Sequence, residues 1–289
     1  MHIIWFRHDL RTHDNPALLA AVEAGQILPI YIFDQELEHH KMGAASQVWL
    51  RHALADLNQS LDSHLQFFKG NAEAIFEQLT ENYPIEGVYW NRGYDPERIA
   101  KDKRIKKTLQ QKGIKAESYH SQLLCEPWQH LKADGTPYKV FTPFYKSLLT
   151  KIDQFRMPMA EPDQYDFVQT KINGSITLDD LGLLPNKPWG KAIVQNWQIS
   201  EQGAGQTLAD FQAEHVTHYS KGRDFPAQQH TSRLSPYLHF GQLSPMQVWQ
   251  SVSHNVSETI REPFLRQLVW REFSHHLLYH FPQLPNHHL

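Results

Sequence analysis

The chain has 289 residues, 40% of them hydrophobic and 20% charged, proportions usual for a soluble globular protein and a length beyond one average domain. A formal net charge of −3 excludes any general attraction to a phosphate backbone, so a nucleic-acid partner would need a local basic patch. Cys125 is the only cysteine, which excludes an internal disulfide framework and a multi-cysteine zinc site, and a reducing, cytoplasmic compartment is expected.

The first residues, "MHIIWFRHDLR", contain no basic run leading into a long apolar stretch, and no segment approaches the roughly eighteen apolar residues of a membrane span. Neither secretion nor membrane spanning is expected. Five apolar runs then alternate with helical patterns: "HIIWF" (2–6), "ILPIYIF" (27–33), "LQFF" (65–68), "GVYWN" (87–91) and "AESYH" (116–120). Several are apolar at every position, as strands buried on both faces are. Asn15-Pro16 opens one intervening helix and Gly25 closes it; Asp95-Pro96 and Gly113 bracket another. Such alternation predicts a doubly wound α/β domain around a five-stranded parallel sheet with right-handed crossovers. The first strand runs into "RHDLRTHDNP", which has no glycine, so a dinucleotide site of the G-x-G-x-x-G type is not expected.

Residues 121–155 leave the sheet through the aromatic, basic "YKVFTPFYKSLLTKI", helical toward its end. From about 156 to 200, Pro, Gly, Asn and Asp accumulate in runs such as "NGSITLDDLGLLPNKPWGK", the composition of a long surface connector. The expected organisation is an α/β domain over 1–130, a connector over 131–200, and an all-α segment over 201–289. The last segment carries the helical patterns "GQTLADFQAEHVTHY", "SPMQVWQSVSH" and "REPFLRQLVWREFSHHLLYHF".

Two runs carry chemistry. Thr231, Ser232, Arg233 and Ser235 set three hydroxyls and a guanidinium beside Pro236, where a helix can open. Free backbone N–H groups and a helix dipole would converge there on a phosphate, although a serine before proline is also an ordinary helix cap. In "FLRQLVWREFSHH", Gln267, Trp270, Arg271 and Ser274 are three and four residues apart and share one helix face, an aromatic plate among hydrogen-bonding groups. An ordinary core tryptophan flanked by solvated charges would give the same pattern. Glu272, His276 and His280 recur every fourth residue, but the zincin pattern, with glutamate directly after the first histidine, is missing, and no metal is expected.

Four motifs, "WFRHDLRTHDNPAL" (5–18), "YKVFTPF" (138–144), "RDFPAQQHTSRLSPYLHFGQLSP" (223–245) and "FLRQLVWREF" (264–273), stand in the order and spacing of the DNA photolyase and cryptochrome family. The likeness is greatest to the bacterial enzymes that repair cyclobutane pyrimidine dimers. The resemblance implies an α/β antenna domain, followed by an incomplete, FAD-binding helical domain. It places Tyr219, Thr231, Ser232, Arg233, Leu234, Ser235 and Arg271 around FAD, and no catalytic side chain beyond the flavin. It sets Arg223, Gln267, Trp270 and Arg271 against UV-damaged DNA, with Trp270 as the plate on which a flipped-out lesion stacks.

His40 and Glu97 match positions that contact a folate in some relatives, so a second antenna chromophore is implied: methenyltetrahydrofolate, with a deazaflavin as the alternative. In two places the chain departs from the family pattern, with Gln267 in place of a glutamate and Phe264 in place of a tryptophan. The family's helical domain continues well past the equivalent of "PNHHL", so an incomplete form that holds FAD poorly is expected. The implied activity is light-driven dimer repair by a monomeric lyase. A cryptochrome-type blue-light photoreceptor and a non-catalytic remnant are its alternatives.

Overall fold

The structure, a computed structural model, describes residues 1–34, 42–185 and 189–287, the side chain of Asp153 excepted. Five parallel strands, β1 (His2–Phe6), β2 (Ile27–Phe33), β3 (Gln66–Lys69), β4 (Gly87–Asn91) and β5 (Lys115–Tyr119), form one sheet in the order β3-β2-β1-β4-β5. Helices α1 (Pro16–Ala24), α2 (Ala44–Ser60), α3 (Ala72–Asn82) and α4 (Pro96–Gln111) make the crossovers. Strand alternation divides the core between the two faces of the sheet. Ile4 and Phe6 pack with Leu18 of α1 and Leu54 of α2, whereas Ile3 and Trp5 pack with Phe76 of α3 and Ile105 of α4. The domain is therefore α/β and doubly wound, as its apolar runs predict.

Asn15 and Asp95 cap α1 and α4 by accepting from the N–H groups of Leu18 and Arg98, and a proline opens each helix. Pro29 interrupts β2, an inner strand, without breaking the ladder. Ile27 bonds outward, giving its N–H to Asp166 O and accepting from Val168 N. Pro29 has the same parity, so the N–H it lacks would face the side where β3 begins pairing only at Ile30.

The remaining helices are α5 (Phe141–Leu149), α6 (Trp189–Gln195), α7 (Glu201–Asp210), α8 (Tyr219–Gly222), α9 (Ser235–Phe240), α10 (Pro245–Asn255) and α11 (Glu258–His280). The stretch expected as one helix through Tyr219 is broken by a π turn at Phe211–His215. Phe211 and Tyr219, eight residues apart, would diverge by about 80° on a straight α-helix. With the wide turn between them, both rings meet Phe264, at 4.6 and 5.3 Å.

The segment between β1 and α1 docks the helices onto the sheet. Arg11, 1% exposed, donates to Gly241 O at 2.9 Å, to Asp14 O at 2.7 Å and to the Ser121 hydroxyl. Asp14, fully buried, accepts from Ser244 and Arg156. Asn91 Nδ2 donates to Asp9 at 2.6 Å and to Asn15 at 2.7 Å. Gly241 ends α9 at φ +72°, where an added Cβ would lie 2.0 Å from His8 O, so only glycine permits this approach.

Candidate functional site

Between the C-terminal ends of the strands and helices α8, α9 and α11 lies a cleft of about 530 Å³. In an open parallel sheet, ligands bind in such a crevice outside the carboxyl ends of the strands. The helical wall is formed by Tyr219, Ser232, Leu234, Ser235, Gln267 and Arg271, six residues that the sequence singles out, joined by the apolar Leu238, Phe264 and Leu268.

The 231–235 run turns sharply because Arg233 adopts φ +54°, uncommon for a residue with a side chain. This turn divides the motif. Ser232, Leu234 and Ser235 face the cleft, while Thr231 and Arg233, again with Ser232, line a second cleft of about 360 Å³. The Arg233 guanidinium stacks 4.0 Å from the Trp197 ring centre and donates to Asn196 O at 3.1 Å. Ser235 is the first residue of α9, after Leu234 at the cap position, and α9 is only six residues long. An anion here would therefore be held by hydroxyls, backbone N–H groups and the nearby Arg271 more than by a helix dipole.

Trp270 lies apart from the cleft lining. Its ring stacks on Phe141 of the "YKVFTPF" motif at 3.7 Å and 7°, and it stays 42% exposed. The helix face shared in sequence by Gln267, Trp270 and Arg271 is thus split, with two side chains in the cleft and the indole beside it on α5. Ser274 donates to Trp270 O at 2.9 Å, an intrahelical bond. Arg223, exposed, lies with its guanidinium 5.7 Å from the Tyr219 ring centre. Glu97 occupies the first turn of α4, and His40 lies outside the described residues.

The opposite wall belongs to the α/β domain and carries residues that sequence reasoning missed: His8, Tyr94, Asp95, Arg98 and Gln122. His8 Nδ1 lies 3.1 Å from His239 O, and a carbonyl can only accept, so the proton sits on Nδ1. Its Nε2 then accepts from Arg98 Nη2 at 3.0 Å. Burial, then the neighbouring Arg98, holds His8 well below the usual imidazole range. Burial lowers His239 likewise and takes His275 down to about 3. The lining histidines are neutral near pH 7, so Arg98 and Arg271 are the cations of the cleft. The signal for this wall lay at the strand ends: "RHD" directly follows β1, and "YDPER" follows β4 after Arg92 and Gly93.

Arg271 is held by the chain around it, donating to Gln122 O at 2.8 Å and pairing with Glu272 at 3.3 Å. Glu272, 3% exposed, accepts from Leu124 N at 2.8 Å. His276 Nε2 accepts from Tyr138 N at 3.1 Å, and His280 Nε2 lies 3.1 Å from Pro127 O. The regularly spaced Glu272, His276 and His280 thus fasten α11 to residues 124–138, which accounts for their spacing without a metal.

An α/β sheet domain carries a helical layer, and a cleft lined by serine hydroxyls and two arginines lies where they meet. Residues 2–163 match the family model described as DNA photolyase, and the chain belongs to that family. It is 40% identical over 98% of its length to the deoxyribodipyrimidine photo-lyase of Agrobacterium fabrum, and 30% identical over 97% to cryptochrome-2 of Arabidopsis thaliana. The crystal structure of a class III photolyase from Agrobacterium tumefaciens superposes with a TM-score of 0.91 at 39% identity, covering 99% of this chain. The chain spans 60% of the Agrobacterium fabrum relative and 49% of the Arabidopsis one. The family carries a flavin and a second, light-harvesting chromophore. Among the described residues, no helix is long and apolar enough to cross a membrane.

Proposed function

We propose that the chain serves light-driven repair of cyclobutane pyrimidine dimers in DNA, with FAD in the 530 Å³ cleft. The observation that carries this reading is the convergence on one cleft of Tyr219, of Ser232, Leu234 and Ser235, and of Gln267 and Arg271, which come from three separate stretches of the sequence. The fit to a flavin dinucleotide is chemical. Tyr219, Leu234, Leu238 and Phe264 offer apolar surface to planar rings. The αL turn at Arg233, the hydroxyls of Ser232 and Ser235 and the Arg271 guanidinium offer donors to a diphosphate. Reduced FAD, when bound, supplies the electron that opens the cyclobutane ring.

The chain's own residues bind and orient. Gln267 presents an amide at the cleft that can both donate to and accept from a flipped-out pyrimidine. Trp270, backed by Phe141, offers an exposed plate beside it, and the exposed Arg223 offers charge to the DNA backbone. Methenyltetrahydrofolate is the antenna we favour, through Glu97 and His40. A photoreceptor reading draws on the likeness to cryptochrome-2; it predicts light-driven flavin reduction without dimer splitting.

The test is binding of a dimer-containing duplex by the FAD-loaded protein, with Trp270→Ala beside wild type. Loss of one stacked base weakens damaged-DNA binding by about 1–3 kcal/mol and affects undamaged duplex much less. Equal loss on both duplexes would make Trp270 a structural residue and withdraw it from the lesion site.

A further inference from the structure

The motif "YKVFTPF" (138–144) lines no part of the flavin cleft; its residues bed helix α11 instead. Tyr138 N–H donates to His276 Nε2 at 3.1 Å, and the Phe144 ring lies 5.1 Å from Phe273 and from His276. Phe141, the first residue of α5 and 5% exposed, has a narrower part. Its ring lies face to face with Trp270 at 3.7 Å and 7°, whereas aromatic pairs left to themselves prefer offset or edge-on arrangements about 4.5–7 Å apart. Packing around the pair therefore holds it. Phe273 meets both rings edge-on, at 5.7 Å from Phe141 and 5.8 Å from Trp270. Arg266, one turn before Trp270 on α11, brings its guanidinium to 5.2 Å from the Phe141 ring centre, an attractive contact for the ring. Trp270 is 42% exposed, and no other ring lies parallel to it among the described residues.

We propose that Phe141 is a positioning residue: it fixes the plane of the Trp270 indole before DNA arrives, so that a flipped-out base meets a plate already in place. The inference rests on the repair reading, in which Trp270 takes the lesion. A side chain already immobilised in the free protein has no freedom left to lose on binding, so more of the stacking energy appears as affinity. An undamaged duplex, whose bases stay stacked on one another, gains little from a fixed indole. Phe141 itself is buried behind Trp270 and reaches no base. It therefore acts on selectivity for damage rather than on general attraction to DNA. Leucine at this position would fill much of the volume but offer no flat face, and tyrosine would keep the face.

The experiment measures binding of a dimer-containing duplex and of the same undamaged duplex by the FAD-loaded chain as wild type, Phe141→Leu, Trp270→Ala and the double substitution. Phe141→Leu should weaken damaged-duplex binding by roughly two- to tenfold, the effect of one side chain left to be ordered, and undamaged duplex much less. In the Trp270→Ala background it should have no further effect, and Phe141→Tyr should bind as the wild type does. A second readout needs no variant of Phe141. The Trp270 indole N–H resonance, identified by its loss in Trp270→Ala, should show an order parameter of about 0.85 in the wild type, as rigid as folded backbone. A mobile indole in the wild type, a folded Phe141→Leu with undiminished selectivity, or the same loss with and without Trp270 would overturn the proposal. Selective loss in Trp270→Ala alone strikes only the role of Phe141, whereas selective loss in neither variant removes the lesion platform and this inference with it.

Discussion

Burial and a guanidinium pull Glu272 in opposite directions, and burial wins. Its carboxyl is pushed up to about 7 from an ordinary 4.5, chiefly by desolvation, although Arg271 and two backbone N–H groups favour the charged form. Arg271 is lowered for the same reason, so both partners record a pair that water would solvate better. A carboxyl whose folded value is raised adds stability below about 4.5, and that contribution is lost as pH rises through about 7. Glu272→Gln keeps an acceptor for the Leu124 N–H but cannot ionise. Wild-type stability relative to this variant should therefore fall by about 1–3 kcal/mol between roughly pH 5 and 8. Urea unfolding across that range measures it, and a difference that stays flat would mean the carboxyl ionises freely in place. Its neighbours His276 and Cys125, and Arg271 itself, all remain in the variant. Sequence spacing marked Glu272 and His276 as a pair on one helix face, but a backbone N–H contributed from residues 124–138 has no signature in a sequence.

At the scale of elements, the strands were the most legible feature. β1, β2 and β4 begin and end where the apolar runs do, because burial on both faces demands unbroken apolar sequence. The edge strands β3 and β5 are each displaced by one residue, since their polar ends carry less of that demand. The break after α7 was not legible, because it accompanies the packing of Phe211 and Tyr219 on Phe264, a tertiary contact distant in sequence, and no local breaker marks it. The approach of α9 to the segment after β1 can be tested by a matched pair of glycines. Gly241 and Gly113 have φ +72° and +75°, but an added Cβ meets His8 O at 2.0 Å in the first and nothing within 4 Å in the second. Gly113→Ala should cost about 1 kcal/mol of stability, the price of the left-handed backbone alone. Gly241→Ala should cost at least about 1–2 kcal/mol more, through overpacking. Equal losses in chemical denaturation would show that the close approach does not exist.

Across the whole molecule, the motif "FRHDLRTHDNP" unites the fold with the site. Its buried Arg11, Asp14 and Asn15 hold the helices to the sheet, and its His8 lines the cleft that this docking creates. The likeness carried by that motif was legible in sequence, but its physical role was not, because its partners Gly241 and Ser244 lie more than two hundred residues away. Arg11→Met would leave Gly241 O, Asp14 O and Ser121 without their donor, a loss in the range of about 3–5 kcal/mol for breaking a buried charged contact. The single unfolding transition expected of the wild type should then separate into two. Retention of one transition at unchanged midpoint would mean that the sheet and helices are held together elsewhere. The same reasoning explains the partial legibility of the site. Apart from Tyr219, the helical wall falls within two motifs and could be read, whereas the α/β wall is assembled from loops after three different strands.

The central claim is that the cleft between sheet and helices is a flavin site, and quenching of FAD fluorescence on titration with the chain tests it most directly. Micromolar binding is the predicted result, because ligand sites enclose most of their ligand and a cleft of about 530 Å³ is small for a dinucleotide. Ser232→Ala with Ser235→Ala should weaken that binding by roughly five- to thirtyfold, the loss of two hydrogen bonds to a charged group. Absence of quenching at any concentration of the folded chain, or quenching that the double substitution leaves unchanged, would contradict the account.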